Sequence, residues 1–430
     1  MAAEVVSKAV GEMDMGLMNL FRRKDEIDEL FEKLNSLSEE IREDALTKLE
    51  NMQLSVEQGL KVLEMAKKKF PPATYEWQDV SSRLIDICAD KPYDEYIDKV
   101  EGIYDELNPN AKISALQFLA TYKNEQALIA YLKLLRKDYL NLKSLPCGNL
   151  LENPRFPQIL FPGILKFAEN SNIECQIYLI LLYYFNNDLV DEESLGEYKS
   201  QIVRNILKMV DKVANYTFKN GSIWDDAKYL ELRKNAGIYF DLAGYIKVPE
   251  ITAALKRLMN IKDIKLKMFA AISLLRHECE PAKEDIMDIA ANSETRNWFY
   301  NALVKMGRSE IYPEEYRNQK SFAESNMVEW LVYPTELGRM PDEIELMNVF
   351  DIDEKEYYLF RFRCQSSEHW KEKGWMAGVA GPFDKRNSPT TLAEGHTFSH
   401  FENWESKQPR EHFESIVGSG KEFWMGLVQE

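Results

Sequence analysis

The sequence has few of the residues that usually form turns. Its 430 residues include 19 glycines and 16 prolines, against an average usage of roughly 7% and 5%. Because glycine and proline mark turns, this shortage disfavours a many-stranded sandwich or barrel and favours a chain built mainly from helices. At 50.1 kDa the chain exceeds what one core usually supports, so we expect two or more domains or an elongated stack of repeats.

The sequence also lacks paired cysteine motifs and long apolar runs. Its five cysteines are an odd number without any C-x-x-C spacing, which predicts reduced thiols rather than a disulfide framework or a zinc ribbon. The longest apolar stretch, Ile177–Phe185, is much shorter than the ~18 residues of a membrane span. Glu4 and Lys8 interrupt the N-terminus, which therefore does not resemble a signal peptide. We predict a cytoplasmic protein with no membrane partner.

Positive charge is scarce as well. The chain has 54 Lys and Arg against 71 Asp and Glu, which gives a net charge of −17 and a pI near 5.0. Duplex binding needs clustered basic residues that release counterions, so we predict no nucleic-acid partner. The short basic runs Arg22–Lys24 and Lys67–Lys69 lie among acidic residues and are interpreted as solvated faces. The acidity instead favours a basic protein or peptide as the partner.

Apolar residues recur with helical spacing from residue 25 onward. Ile27, Leu30, Phe31 and Leu34 follow the i, i+3, i+4, i+7 pattern of one helix face. Residues 1–24 are predicted to be a disordered or helical lead, of which 1–17 is disordered or an over-long start. Helices are predicted at 25–37, from Ser38, from Ser55, and at 73–89, 93–107, 110–122, 124–140, 163–185, 193–215, 223–246, 249–260, 263–276, 281–292 and 295–307.

One sequence phrase recurs within this series. It has a basic residue, three positions later a small residue that is followed directly by an apolar or small one, and three positions after that an apolar residue on the same helix face. The copies begin at Arg42, Lys112 and Lys267. The first two are 70 residues apart, about twice the period of a short helix pair, and the third begins 155 residues further on, near four periods of ~39 residues. The series over 25–307 resembles HEAT-type repeats, which implies an α-solenoid of helical hairpins that binds another macromolecule. A non-repetitive helical bundle is the alternative.

The pattern changes after residue 307. Residues 308–325 are predicted to be a linker or a cap, and 326–430 a separate α+β domain with a short antiparallel sheet. Period-two alternation predicts a hairpin of 344–352 and 356–364 that turns at 353–355. The other elements predicted here are a strand at Met327–Tyr333, a strand at Gly374–Ala380 ended by a turn at Gly381-Pro382, and helices at Phe398–Ser406 and Pro409–Val417.

Aromatic residues and histidines collect in this last domain. Five of the eight Trp and four of the five His follow residue 325, where the net charge is −8. Trp and Tyr dominate binding hot spots and attract cations, so these residues predict a site for a protein, a peptide or a cationic ligand. The alternative is that a small domain simply needs large side chains in its core. The candidate binding residues are Trp370, Trp375, His369, Trp404 and His400.

Three groups of residues in the same domain resemble chemical sites, but the sequence favours none of them. His396 and His400 have the i, i+4 spacing of a zinc site, but Gly395 places the first of them at a loop or a helix start. Cys364 with His369 and Asp384 could form a nucleophile and base, but a strand face rich in Tyr and Phe favours a core thiol. The glycines from Gly374 to Gly381 lack the lysine of a phosphate loop. We therefore predict no catalytic residue, no metal and no cofactor.

A second resemblance concerns the C-terminal domain alone. The phrases His369-Trp370, Gly374-Trp375-Met376 and Gly381-Pro382-Phe383 are similar to those of uncharacterised bacterial proteins in which such a module follows helical repeats. That resemblance implies no activity. The sequence is therefore interpreted as a non-enzymatic protein-protein interaction scaffold that could neutralise a basic protein such as a toxin. The alternative function is a metal-assisted hydrolase with its site in the C-terminal domain.

Overall fold

The computed structural model describes residues 26–218, 223–385 and 397–427, without the side chains of His400 and of 421–427. The predicted lead, residues 1–24, lies outside the described residues. The chain divides into two compact units, Met1–Lys199 and Ser200–Glu430. Helices dominate, and a small four-stranded antiparallel sheet lies near the C-terminus. The prediction of a mainly helical chain followed by a short antiparallel sheet is therefore confirmed.

The first unit is a series of short helices. Its helices are α1 (26–33), α2 (Glu39–Asn51), α3 (Val56–Met65), α4 (Val80–Asp90), α5 (Glu95–Ile103), α6 (Pro109–Thr121), α7 (Glu125–Asp138), α8 (Pro157–Leu160) and α9 (Glu174–Asn186). Polar side chains begin several of them: Asp79, Asn108 and Asn124 each accept a hydrogen bond from a backbone N–H of the first turn. The predicted helices occur in this order, but two α-helices begin later than predicted: α4 begins at Val80 and not at 73, and α9 begins at Glu174 after a separate 3₁₀ segment, Gly163–Glu169.

These helices pack in two layers. Helices α2, α4 and α6 contact each other in order, α3, α5 and α7 do the same, and connected pairs such as α6 and α7 join the layers. Gly59 of α3 permits one close approach, because a Cβ there would overlap the Tyr96 hydroxyl of α5. Such a succession of helical hairpins is what a repeat protein requires. Membership of the HEAT class remains a prediction.

The second unit continues with helices and then the sheet. Its helices are α10 (Lys199–Ala214), α11 (Ala227–Ala243), α12 (Pro249–Leu258), α13 (Ile264–Arg276), α14 (Lys283–Ala291), α15 (Arg296–Lys305), α16 (Gln319–Leu331) and α17 (Pro409–Leu427). Helices α11, α13 and α15 contact each other in order. Helix α16 extends across the predicted boundary at 325 and 326, so the predicted linker contains the first half of a helix. The domain limits themselves stay a prediction.

The sheet has the order β1-β2-β3-β4. Its strands are β1 (Glu343–Ile352), β2 (Lys355–Arg363), β3 (Met376–Asp384) and β4 (Phe398–His400). The predicted hairpin is confirmed, and Asp353 and Glu354 turn it with positive φ angles of 49° and 61°. The turn predicted at Gly381-Pro382 is wrong, because β3 continues through it as a bulge. Gly381 has φ +129°, and a Cβ there would lie 2.7 Å from the Glu356 carbonyl.

Two other predictions near the sheet are also wrong. Met327–Tyr333 is not a strand, because its residues continue α16, which begins at the N-cap Asn318. Its buried residues include Phe322, Val328 and Leu331, so the apolar run is one end of a helical face. Phe398–Ser406 is not a helix: Phe398–His400 pairs with β3, and only Trp404–Ser406 forms a helical turn. The helix predicted from Pro409 is present.

Helices α16 and α17 cover opposite faces of the sheet. On the α16 side, Met327 packs with the alternating residues Tyr358, Phe360, Phe362 and Cys364 of β2. The α17 side has a second core, formed by Leu359, Ala377, Val379, Trp404, Phe413 and Ile416. The alternation predicted for β2 therefore places its apolar residues on the faces that the two helices bury.

Candidate functional site

Trp370 and His369 lie beside the core on the α16 side of the sheet. The Trp370 ring packs against that core and lies 4.7 Å from the Phe401 ring. Its indole Nε1 donates a hydrogen bond to the carbonyl of Leu337 at 3.1 Å. His369 is exposed and meets the Trp370 ring edge-on at 4.7 Å. Trp370 is therefore a half-buried packing residue whose polar atom is already bonded.

Trp375 and Trp404 lie on the α17 side. Trp404 is 7% exposed, and its ring stacks on His412 with 4.9 Å between centroids. The Trp404 backbone N–H donates to the Trp375 carbonyl at 2.6 Å, and His412 Nε2 donates to the Trp404 carbonyl at 2.8 Å. Trp404 and His412 are thus core residues, whereas Trp375 is half-buried. The sheet separates these side chains from Trp370 and His369.

The candidate zinc histidines are only partly described. His400 ends β4, where it pairs with Ala377, and its side chain is not described. His396 lies outside the described residues. Within the parts of the chain that the structure describes, no three His, Cys, Asp or Glu side chains are grouped as metal ligands. Neither the zinc interpretation of His396 and His400 nor the predicted binding role of His400 is tested by the described residues.

The residues considered as a nucleophile and base, Cys364, His369 and Asp384, have different environments. Cys364 is buried in the α16-side core, and burial raises the pKa of its thiol. A raised thiol pKa leaves little thiolate near neutral pH, so this environment does not activate a nucleophile. His369 is exposed, while Asp384 is buried and bonded by Lys355 at 3.4 Å. The structure favours the interpretation of Cys364 as a core thiol.

The first unit contains a cleft that is not among the sites predicted from the sequence. Its volume is 480 Å³, and it opens where α4 passes into α5 and α6 into α7. It is lined by Ala89, Asp90, Pro92, Asp94, Phe118, Thr121, Tyr122, Lys123, Asn124 and Asn149. The Phe118 and Tyr122 rings, 5.6 Å apart, give the cleft an aromatic wall. Two carboxylates, one aromatic pair and a few amides make up its chemistry.

One cleft carboxylate is held in place by neutral donors. Asp94 Oδ1 accepts hydrogen bonds from the Tyr122 hydroxyl at 2.9 Å and from Asn124 Nδ2 at 3.0 Å. Burial raises the pKa of Tyr122 to about 12, and the hydrogen bond to Asp94 adds to the effect. Tyr122 therefore stays a hydrogen-bond donor to Asp94 at neutral pH.

Two further carboxylates lie in the C-terminal part of α4. Asp86 and Asp90 are spaced i, i+4, and the last turn of α4 has no basic residue. Like charges at this spacing repel each other, and the negative end of the helix dipole adds to the repulsion. Asp86 is exposed at the surface, yet desolvation by the groups around its carboxyl raises its pKa, and the charges of Asp90 and Glu50 raise it further. Neither aspartate forms an ion pair with any residue that the structure describes, although Arg83 and Ser114 partly offset the charge of Asp86.

The remaining surroundings of the cleft are partly positive. Lys123 is exposed at its rim. Behind Tyr122, the Arg155 guanidinium donates to the carbonyls of Ala120 and Tyr122 at 2.8 Å and to Asn149. Because Arg155 binds these neutral acceptors, it closes the C-terminal end of α6 and contributes no ion pair to Asp90 or Asp94. The carboxylates accordingly remain available to a ligand in the cleft.

A spacing in the sequence could have indicated this site. Asp86, Asp90 and Asp94 follow each other every fourth residue across the end of a predicted helix. Two of them, Asp86 and Asp90, lie in the C-terminal part of α4 and oppose the usual preference for lysine and arginine there, while Asp94 precedes the next helix. Local departures from such rules concentrate at functional sites. The net charge of whole domains does not reveal this local pattern, which only the spacing of the three aspartates shows.

Comparison with known protein families, with characterised proteins and with solved structures yields no match. Among the helices of the described residues, none is long and apolar enough to cross a membrane. The fold and the charges therefore define the protein's class. It is a chain of helical hairpins with an acidic, aromatic-walled cleft in its first unit and a four-stranded sheet in its second.

Proposed function

We propose that this chain is a non-enzymatic protein-protein interaction scaffold of HEAT-like helical hairpins that binds a basic partner, such as a cationic toxin. The observation that carries the proposal is the cleft of the first unit, where Asp90 and Asp94 line a 480 Å³ space and, among the described residues, form no ion pair. The net charge of −17 supports it, because an acidic protein attracts a basic one over a distance.

The cleft suits the head group of a lysine or an arginine. Asp94 is oriented by Tyr122 and Asn124, so it would accept a charge-assisted hydrogen bond without rearranging. The Tyr122 and Phe118 rings would contact the apolar stem of the entering side chain or its cation. A bound cation would also relieve the repulsion between Asp86 and Asp90. Binding and the local electrostatics of α4 therefore favour the same ligand.

Binding of an oligolysine peptide to the full chain tests this proposal. The double variant Asp90→Asn with Asp94→Asn keeps the side-chain shapes and removes two charges. We expect it to weaken binding about three- to tenfold, the range of one or two exposed ion pairs. Isothermal titration calorimetry at low and physiological salt measures the effect, and binding should weaken as salt rises.

A matched variant distinguishes binding at the cleft from a general effect of the protein's negative charge. The control, Asp44→Asn with Asp105→Asn, removes the same net charge from exposed carboxylates outside the cleft. Asp44 pairs with Lys48 on α2, and Asp105 pairs with Lys137. The control should retain wild-type affinity within about twofold. Equal losses in the two double variants, or binding that ignores salt, would contradict the proposal.

A further inference from the structure

Two arginines of β2 share one tryptophan. The guanidinium carbons of Arg361 and Arg363 lie 4.3 and 4.5 Å from the ring centroid of Trp375. Residues two apart in a strand point to the same face, here the face of Leu359 that α17 partly covers. The arginine side chains are 26% and 28% exposed, so the indole orders groups that remain accessible.

A glutamate of β1 holds each guanidinium along one edge. Arg361 Nε donates to Glu345 Oε2 at 2.8 Å, and Arg363 Nε donates to Glu343 Oε1 at 2.8 Å. In both pairs Nη2 donates to the same oxygen. These are directly opposite residues in the β1-β2 register. Each arginine is thus fixed by an ion pair at one edge and by Trp375 at its face.

The second edge of each guanidinium, which includes Nη1, donates no hydrogen bond to the glutamate. Within the described residues, Nη1 of Arg361 and Nη1 of Arg363 donate to no acceptor, so each keeps a second N–H fork. This fork matches two oxygens of a carboxylate or a phosphate. Because both arginines are already ordered, a ligand loses little side-chain entropy on binding them.

We propose that Arg361, Arg363 and Trp375 form a binding site for the oxyanion group of a ligand, a phosphate or a carboxylate. This site is independent of the cleft in the first unit. Glu343 and Glu345 balance the formal charge of the two arginines, so the site selects by the directions of its N–H groups and not by net positive charge. One fork binds two oxygens of either group, so phosphate and carboxylate share this recognition chemistry.

Titration of the full chain with inorganic phosphate, and separately with acetate, tests the proposal. Calorimetry and tryptophan fluorescence report binding, since Trp375 lies against the forks. We expect saturable phosphate binding, and about tenfold weaker binding in Arg361→Gln and in Arg363→Gln. Arg361→Lys should weaken binding nearly as much, because it keeps the charge and loses the fork. The Trp375→Phe variant should bind phosphate with a smaller fluorescence change.

The matched control is Arg410→Gln, which removes an exposed arginine of α17 that pairs with Glu414. It should bind phosphate as the wild type does. Thermal unfolding midpoints show whether each variant is folded, and Arg361→Lys provides the test if Arg361→Gln is not. Tighter binding of phosphate than of acetate identifies a phosphorylated ligand, and equal affinity identifies a carboxylate. The proposal is overturned if phosphate does not saturate, or if Arg361→Lys and Arg410→Gln behave alike.

Discussion

Charged residues are arranged differently in the two units. In the second unit, Arg233 of α11 lies between Asp263 and Glu294, and all three charges are buried and paired. In the first unit, Asp86 and Asp90 lie in the C-terminal part of α4 and form no ion pair among the described residues. Burial makes an unpaired charge costly, so the first arrangement is satisfied throughout. Exposure makes an unpaired charge tolerable, so the second can persist for a ligand. The two regions show that pairing follows burial here, while unpaired charge collects at an open cleft.

The buried arrangement is built in detail. Arg233 Nε donates to Asp263 at 2.7 Å, and Nη1 and Nη2 donate to the two oxygens of Glu294 at 2.8 and 2.6 Å. Tyr229 donates to Asp263 at 2.9 Å, and Lys265 donates to Glu294 at 3.2 Å. Burial alone would raise the pKa of Glu294, but Arg233 and Lys265 hold it below the usual value.

The largest expected effect follows from removing the central charge. Arg233→Met leaves Asp263 and Glu294 buried without their main partner, so the free energy of unfolding should fall by about 3–5 kcal/mol. Urea denaturation and hydrogen exchange in α11 and α13 measure it. Arg257→Met, which breaks the exposed pair with Asp211, should cost less than about 1 kcal/mol. Similar losses in the two variants would remove the distinction between buried and exposed charge.

A half-buried carboxyl beside this cluster gives a pH-dependent effect. Burial raises the pKa of Glu329 to about 7, opposed by Lys265 and assisted by Glu294. Because the folded-state pKa exceeds the unfolded one, the stabilising protonated form is lost as pH rises from about 4.5 through 7. Glu329→Gln should therefore be more stable than the wild type by about 1–2 kcal/mol near pH 8 and equal to it near pH 4.

Urea midpoints measured across this pH range test the Glu329 prediction. The control is Glu314→Gln, because Glu314 is 88% exposed and should leave the pH profile unchanged. If the wild type and Glu329→Gln lose stability in parallel as pH rises, Glu329 does not titrate in that range. No carboxyl beside the buried cluster would then titrate in this range, which would strengthen the contrast between the paired cluster and the unpaired carboxylates of the cleft.

The helices were predictable because their signals are local. N-caps such as Asn108 and apolar residues at helical spacing specify each helix without reference to its neighbours. Strand and helix are harder to tell apart in a short apolar run, and Met327–Tyr333 was misassigned because its helix begins earlier, at Asn318. The bulge at Gly381-Pro382 depends on a partner strand that local sequence does not reveal.

The candidate sites were less predictable because they depend on contacts between distant residues. Composition indicated the aromatic C-terminal region, but only the β2 and β3 pairing shows that Trp370 and Trp375 belong to cores on opposite faces. The phrase that begins at Lys267 has a further version at Arg233, whose buried side chain also binds acidic residues. Their partners lie on other helices, so the repeated phrase alone could not show that it carries buried ion pairs.

The smallest predicted effect separates function from stability within the cleft. Asp90→Asn removes a like-charge neighbour of Asp86 and a negative charge at the end of α4. It should raise the free energy of unfolding by about 0.3–0.5 kcal/mol. Asp44→Asn, by contrast, breaks the 2.6 Å pair with Lys48 and should lower it by a similar amount.

Replicate urea denaturation of the two single variants measures these opposite signs at equal change in net charge. A carboxylate whose removal stabilises the fold while weakening oligolysine binding is retained for its ligand and not for the fold. If Asp90→Asn destabilises the protein as Asp44→Asn does, Asp90 has a stabilising partner. In that case the cleft is no more in need of a cation than the paired surface of α2.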